Sequence, residues 1–432
     1  MMKLQILCTI LGLITTTVVA QDSLTIDAAI QHVLQTHPAL QASQAAIQAA
    51  EARAAASRSF LSPDLSGSLQ YAHIGPIPAF SVPMMGSFLL APDNNYDGHL
   101  SALYTLYDFG KTSAAVDLAR SHVESSRKTR ELTRINLALQ TIRTFYTIVF
   151  LQKSIVVQDE QIAAFQQHLS ITQKRLAAGS ATNFDVLTTQ VRVASAENQK
   201  VDVQDALSRQ QAFLRQLLGF STDAPISVSG LFTDRPFIPN IDSLFQIANT
   251  SRVELTLAKE AEQSAMLQQR MSSLGDMPTV RMFANYGVKN GYEPNLDAWR
   301  GNWSVGAAAS IPLFNGSRTT YQVEESKALV EAEQARTIAT LRQIQSEVEQ
   351  ACADVQATGR KVEISRVQLQ QAHEAVAIAR TRYEIGAITN LDLLDAETAE
   401  SAAKLASLQA LYQYALSRYT LQQATGSLLR PE

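Results

Sequence analysis

The sequence predicts a mainly α-helical chain that also carries a membrane β-barrel portion: long coiled-coil hairpins plus four β-strands. Three observations predict it. Arg175-Leu-Ala-Ala-Gly179-Ser-Ala-Thr182-Asn183-Phe-Asp185-Val-Leu187 returns as Arg382-Tyr-Glu-Ile-Gly386-Ala-Ile-Thr389-Asn390-Leu-Asp392-Leu-Leu394, 207 residues on, and Leu106 to Lys111 returns as Leu313 to Arg318 at the same offset. Two unrelated signatures at one spacing mean a duplicated unit far longer than a solenoid repeat of about 20 to 50 residues. Glycine and proline are missing from Lys111 to Ala178, and only Gly359 interrupts Arg318 to Ile385. Finally, two stretches change from a helical apolar period to a period of two.

The first segment is a processing signal. Lys3 supplies the charged end, Leu4 to Val19 the apolar run and Val18-Val19-Ala20 a small-residue cleavage site, so residues 1–20 are expected to be removed and the chain to leave the cytoplasm. Cys8 goes with the signal and leaves Cys352 alone, so no disulfide within the chain and no lipid anchor at the new N-terminus are expected. No other run of about 18 apolar residues occurs, which leaves strands as the only means of crossing a bilayer.

Two repeats follow, 21–219 and 241–426, joined by a linker at 220–240 and ended by a short tail at 427–432. Each opens with a shorter helix, Ile26 to Arg58 and Ile241 to Ser272, started by Thr25-Ile-Asp27 and Asn240-Ile-Asp242. In each, a helix of about 68 residues would run roughly 100 Å at 1.5 Å per residue. Ile338, Leu341, Ile344, Val348, Cys352, Val355 and Val362 recur on it at coiled-coil steps. Gly179 and Gly386 stop the long helices. Thr182-Asn-Phe-Asp185 and Thr389-Asn-Leu-Asp392 read as capping boxes of return helices that end at Gly219 and Gly426.

Between the opening helices and the long ones lie the strands, in hairpins at about 64–107 and 278–313. Leu65, Gly67, Leu69 and Tyr71 alternate with Ser66, Ser68 and Gln70; Val280 to Val288 and Trp303 to Ile311 alternate likewise, and Leu100 to Leu106 is less clean. Strands of about 10 residues span a bilayer at a tilt. Four cannot close a barrel, and lipid tolerates no open edge, so the chain needs copies of itself. Three copies give a shared 12-stranded barrel; two would give eight strands, a barrel filled by its own side chains. A homotrimer is expected. Ile74 to Pro92 is an apolar, Pro-rich loop, read chiefly as packed on itself or its neighbours, with Met84, Met85, Phe88 and Leu89 as contact candidates; Lys289 to Arg300 is polar.

Composition narrows the function classes. Lys and Arg number 36 against 40 Asp and Glu, a net charge of −4 without a basic stripe, so no nucleic-acid partner is expected. The seven histidines have no ligand spacing, and no nucleophile elbow or phosphate loop occurs. The chain reads as a non-enzyme without metal or cofactor.

The signal, the paired halves, the long Pro-free helices, the two hairpins and the doubled R-x-x-x-G-x-x-[TS]-x-x-D-x-L signature resemble the TolC-type outer-membrane efflux proteins from Leu24 through Gly426. The resemblance implies a trimer whose outer-membrane barrel continues as a periplasmic α-barrel. It also implies hairpin tips at Arg175, Gly179, Arg382 and Gly386 that meet a periplasmic adaptor (a membrane fusion protein) working with an inner-membrane transporter. Tyr383, Asp392 and Asp395 match the family's periplasmic gate, with three copies of each aspartate around one axis attracting cations. Ile388 and Thr398 depart from basic residues found in relatives, so a hydrophobic constriction at Leu391 could replace the charged latch.

Blander readings stand beside these. Asp185 and Asp392 serve as helix caps, Leu391 as tip packing, the two glycines as positive-φ turns, and Arg175 and Arg382 as helix-end charges. Tyr71, Tyr286, Trp299 and Trp303 fit an aromatic belt against outer-membrane lipid, or else a plain apolar core. The chain thus reads as the exit duct of a tripartite efflux system or of a type I protein secretion system, with a soluble periplasmic coiled-coil scaffold as the competitor from another class. Because the first tip lacks a counterpart of Tyr383, the second tip is expected to move more on opening.

Overall fold

The computed structural model describes residues 24–84, 86–232 and 235–429. The signal segment, Met85, the side chain of Phe88 and the last residues of the tail lie outside that description. Among the described residues, eight helices and six strands follow in the order α1 (Ile26–Thr36), α2 (Pro38–Ser59), β1 (Asp64–His73), β2 (Ala79–Val82), β3 (Gly86–Leu89), β4 (Asn94–Tyr107), α3 (Lys111–Ala177), α4 (Asn183–Leu218), α5 (Ile241–Ser251), α6 (Val253–Ser273), β5 (Thr279–Lys289), β6 (Arg300–Ser310), α7 (Arg318–Glu384) and α8 (Asn390–Ala424). They fall into two compact units, each drawing on both halves of the sequence: residues up to 37, 137–238 and 353–420 form one, and 38–136, 239–352 and those from 421 the other.

The opening helices, expected to be continuous, are each broken once. His37 adopts an extended ψ of 129° because Pro38 bars the helical conformation of the residue before it. At the second break no proline intervenes. Arg252, itself at ψ 120°, is 4% exposed and donates to Ala424 O at 3.0 Å while pairing with Glu254 and Glu347, both at 2.8 Å. A buried guanidinium needs this many acceptors, and a bend in the chain delivers them.

Both long helices run 67 residues, as expected from the absence of breakers. Ile344, Val348, Cys352, Val355 and Val362 are buried along α7. Ile338 is instead 54% exposed, a correction to the expected stripe. At that level the covered line has moved one residue round the helix, to Thr337, whose hydroxyl reaches Glu262 at 3.3 Å, and to Val330.

All four glycine endings repeat one motif. Ser180, Phe220, Ala387 and Ser427 each donate their amide to the carbonyl five residues back, at 2.8, 3.0, 2.8 and 2.8 Å, across Gly179, Gly219, Gly386 and Gly426. These glycines hold φ between 70° and 75°, where a side chain would strain the turn.

In the second unit β1, β4, β5 and β6 form one antiparallel sheet in that order, with β1 and β6 as its edges. The register places Tyr71 opposite Tyr96, Gly67 opposite Leu100, Leu100 opposite Tyr286, and Tyr286 opposite Trp303. One face therefore carries Leu65, Leu69, Tyr71, Leu100, Tyr286, Val288, Trp303 and Val305, all exposed, with Leu69 at 93%. The other carries Ser68, which bonds His99 at 3.1 Å, Asp97 and Arg281, and Asn285, which bonds Ser304 at 3.1 Å. Leu103 and Phe283, opposite each other in register, are large apolar residues on the polar face, and the Phe283 ring lies over Gly306, where a Cβ would come within 2.7 Å of it.

The loop at 74–92 contains a small hairpin, β2 paired with β3, that the sequence reading did not foresee. Its strands have only four residues each, and prolines flank them, which hides the alternation.

Candidate functional site

The two tips lie in the first unit. Thr182 and Asp185 form the expected capping box: the Asp185 amide donates to the Thr182 hydroxyl at 3.2 Å, and Asp185 Oδ2 accepts from the Thr182 amide at 2.9 Å. Thr389 and Asp392 repeat it at 3.2 and 2.8 Å. The bonds from Thr389 hold the Asp392 carboxyl below its ordinary pKa. A depressed carboxylate stabilises the helix start above its unfolded pKa of about 3.9, and that support is lost as pH falls through the lowered value. Thr389→Ala is expected to cost about 1 kcal/mol, read as faster amide exchange in the first turn of α8.

Arg175 does more than end a helix. Both of its terminal nitrogens donate to Tyr383 O at 3.2 Å, one also reaches Glu384 O at 3.2 Å, and its guanidinium lies 4.3 Å from the centre of the Tyr383 ring. It therefore supplies donors to the last carbonyls of α7, the end of a helix that attracts positive charge. On its way Tyr383, 7% exposed, also meets the ring of His168 at 5.1 Å. Arg382, Gly386 and Leu391 are exposed, as is Gly179 on the first tip.

Two further links cross from α3 and α4 to α8. His168 is buried and contacts Asn390 Oδ1 at 2.5 Å, while Asn390 Nδ2 donates to Asp185 O at 3.3 Å and to Thr189 at 3.4 Å. Arg192 donates to Asp395 at 2.9 Å. Asp395 is thus paired inside its own chain, and Asp392 is engaged in its cap; the two carboxylates are exposed but not unengaged.

Sequence reasoning missed His168, Asn390 and Arg192. Asn390 stands within the doubled signature, yet its counterpart Asn183 is exposed, so the pattern alone could not assign it an inward role. Arg192 lies beyond the signature and carries no local signal.

Of the four aromatic candidates, Tyr71 and Trp299 come together around Tyr96, at 5.1 and 5.3 Å, at the end of the sheet opposite the helices. Tyr286 and Trp303 sit level with Gly67, four residues along the strand from Tyr71. A second exposed apolar group, Phe60, Tyr107, Phe109, Leu313 and Phe314, surrounds the other end, where strands pass into helices.

The sequence matches the family described as "Outer membrane efflux protein" over residues 29–220 and 244–427. Among curated relatives, the alkaline protease secretion protein AprF of Pseudomonas aeruginosa is 23% identical over 74% of this chain and 68% of its own length. The outer membrane efflux protein BepC of Brucella suis is 21% identical over 94% and 86%. The crystal structure of the outer membrane protein VceC of Vibrio cholerae superposes with a TM-score of 0.80 at 21% identity, covering 93% of this chain and 96% of that one. The Campylobacter jejuni CmeC outer membrane channel does so with a TM-score of 0.81 at 16% identity, covering 93% and 86%.

Proposed function

This chain belongs to the outer membrane efflux protein family, and we propose that three copies close a single duct through which an inner-membrane transporter, joined by a periplasmic adaptor, discharges its substrate. The protein resides in the outer membrane with its helices in the periplasm. The observation that carries the reading is the sheet. One face is apolar and bare, the other polar, and β1 and β6 leave two rows of backbone groups unpaired. Lipid can cover the apolar face, but an open edge in hydrocarbon costs several kcal/mol per unpaired group. Pairing β6 of one copy with β1 of the next removes every edge. With three copies the ring has twelve strands, and its polar faces line a wide lumen.

The two matched ranges support a duplicated chain, 21–219 and 241–426, with 220–240 between. Arg175, Gly179, Arg382 and Gly386 form the ends offered to the adaptor, and Leu391, Asp392 and Asp395 with Tyr383 form the gate. Tyr71 and Trp299 mark the outer lipid boundary, with Tyr286 and Trp303 turned to lipid deeper in the sheet. The name of AprF, an alkaline protease secretion protein, favours type I protein secretion as a second use of the same duct. A soluble scaffold would gain nothing from the bare apolar face.

Light scattering of the mature protein, extracted in mild detergent and corrected for bound detergent, is expected to give three times the chain mass. A monomer that needs no detergent would overturn the duct.

A further inference from the structure

Between α3, α7 and α8, inside the first unit, lies a cavity of about 260 Å³ whose lining is of two kinds. Val157, Ala164, Phe165 and Val376 supply hydrocarbon. The remainder is ionisable: Glu160 from α3, His373 and Arg380 from α7, and Glu397, Glu400 and Lys404 from α8. With His373 neutral, three carboxylates stand against two permanent cations, which leaves the cavity one negative charge in excess.

These charges do not satisfy one another. An arginine facing a carboxylate ordinarily sets two nitrogens on two oxygens. Here Nε and Nη2 of Arg380 both donate to Glu397 Oε1, at 3.1 and 3.0 Å. Glu397 Oε2 stays buried without a hydrogen-bond partner among the described residues, on a side chain only 7% exposed. The neighbouring donors are committed elsewhere. The Lys404 ammonium lies 2.8 Å from Glu160 and 3.7 Å from Glu400, and His373 Nδ1 meets Glu400 at 2.8 Å. A buried charged oxygen left without a donor is costly, so the cavity is built to receive one.

The lining decides what kind of donor fits. Among the described residues no three His, Cys, Asp or Glu groups are placed to hold a metal ion, and Arg380 and Lys404 beside the carboxylates oppose a divalent charge. An ammonium carries a single charge, donates hydrogen bonds and needs no ring of ligands. A chain attached to it would cover the hydrocarbon wall. Pockets for drug-sized ligands run to about 300–1,000 Å³, so this one suits a smaller guest.

We propose that the cavity binds a short alkyl monoamine in its protonated form, the ammonium on Glu397 Oε2 and the chain against Phe165 and Val376. Bound there, it ties α8 to α3, the same two helices that His168 and Asn390 join at the tip. All the walls come from one chain, so the site stands whether or not the duct reading does.

Saturation-transfer NMR of n-butylammonium added to the detergent-extracted mature protein tests it, with empty micelles as the blank. The amine is expected to bind at least tenfold more tightly than 1-butanol, which has the chain without the charge. Glu397→Gln keeps the size of the side chain and should weaken the amine at least tenfold. Ala164→Leu fills the apolar side without touching a carboxylate and should abolish the amine signal. Equal affinity for amine and alcohol overturns the site and assigns the cavity to water; that comparison uses the unaltered protein, so it decides the matter even where a variant does not fold. Unchanged amine binding in either folded variant overturns it too. Displacement of the amine by magnesium at a tenfold lower concentration than its own would assign the cavity to a metal ion instead. A protein that is monomeric by mass yet binds the amine would remove the duct and keep this site.

Discussion

Leu100→Arg is expected to remove the protein from the outer membrane, whereas Ser101→Arg, one residue along, leaves it there. Leu100 sits on β4, an inner strand, and is 67% exposed on the apolar face between Gly67 and Tyr286. An arginine on the lipid face near the bilayer midplane costs about 2–4 kcal/mol. In the proposed threefold assembly the change falls in every copy, and a folded domain has only about 5–15 kcal/mol to lose. Ser101 projects to the opposite, polar face, level with Asn285. A charge there meets water in the lumen and should change conduction rather than insertion. The yield of detergent-extractable trimer in the outer-membrane fraction checks both. Equal yields for the two variants would mean that the sheet does not face lipid.

The contrast between neighbours shows which parts of the fold the residues make legible. Strands half in lipid must alternate, so Leu65 to Tyr71 and Trp303 to Ile311 announce their faces residue by residue. Long helices need only the absence of breakers, and the glycine endings need a residue that tolerates positive φ; each is a local requirement written locally. What was not legible depends on partners distant in sequence. Ile338 obeys the heptad yet is bare, because the covered line is set by where α6 lies. The break at Arg252 has no proline and follows from acceptors at Glu347 and Ala424. The proposed gate shows the same limit. Asp395 was visible as an acidic residue near a tip, but its partner Arg192, 203 residues away, was not.

Arg175→Ala is expected to raise strongly the fraction of time the channel spends open, read in single-channel recordings. Bonds within the second hairpin, Arg380 to Glu397 and His373 to Glu400, let α7 and α8 move as one body. Polar links join that body to α3 and α4 at the tips: Arg175 to the Tyr383 and Glu384 carbonyls, His168 to Asn390, Asn390 to the Asp185 carbonyl and Thr189, and Arg192 to Asp395. Arg175 is the strongest of them, since a hydrogen bond from a charged donor contributes about 1.5–3 kcal/mol and this guanidinium also covers the Tyr383 ring. In the proposed trimer, losing it in every copy shifts the closed-to-open equilibrium by several kcal/mol, roughly a hundredfold or more in population. Arg380→Ala, which loosens only the second hairpin, should leave the open fraction near the parent value.

The exposed Arg192–Asp395 pair contributes less to closure, of order 1 kcal/mol or below. Its two halves nevertheless predict opposite selectivity. Arg192→Ala bares a ring of three carboxylates and should increase cation preference, while Asp395→Ala bares three guanidinium groups and should reverse it. Single-channel recording under a salt gradient reads the sign directly. The same sign from both variants would place the pair away from the conducting path and leave Leu391 and the tip backbone as the constriction.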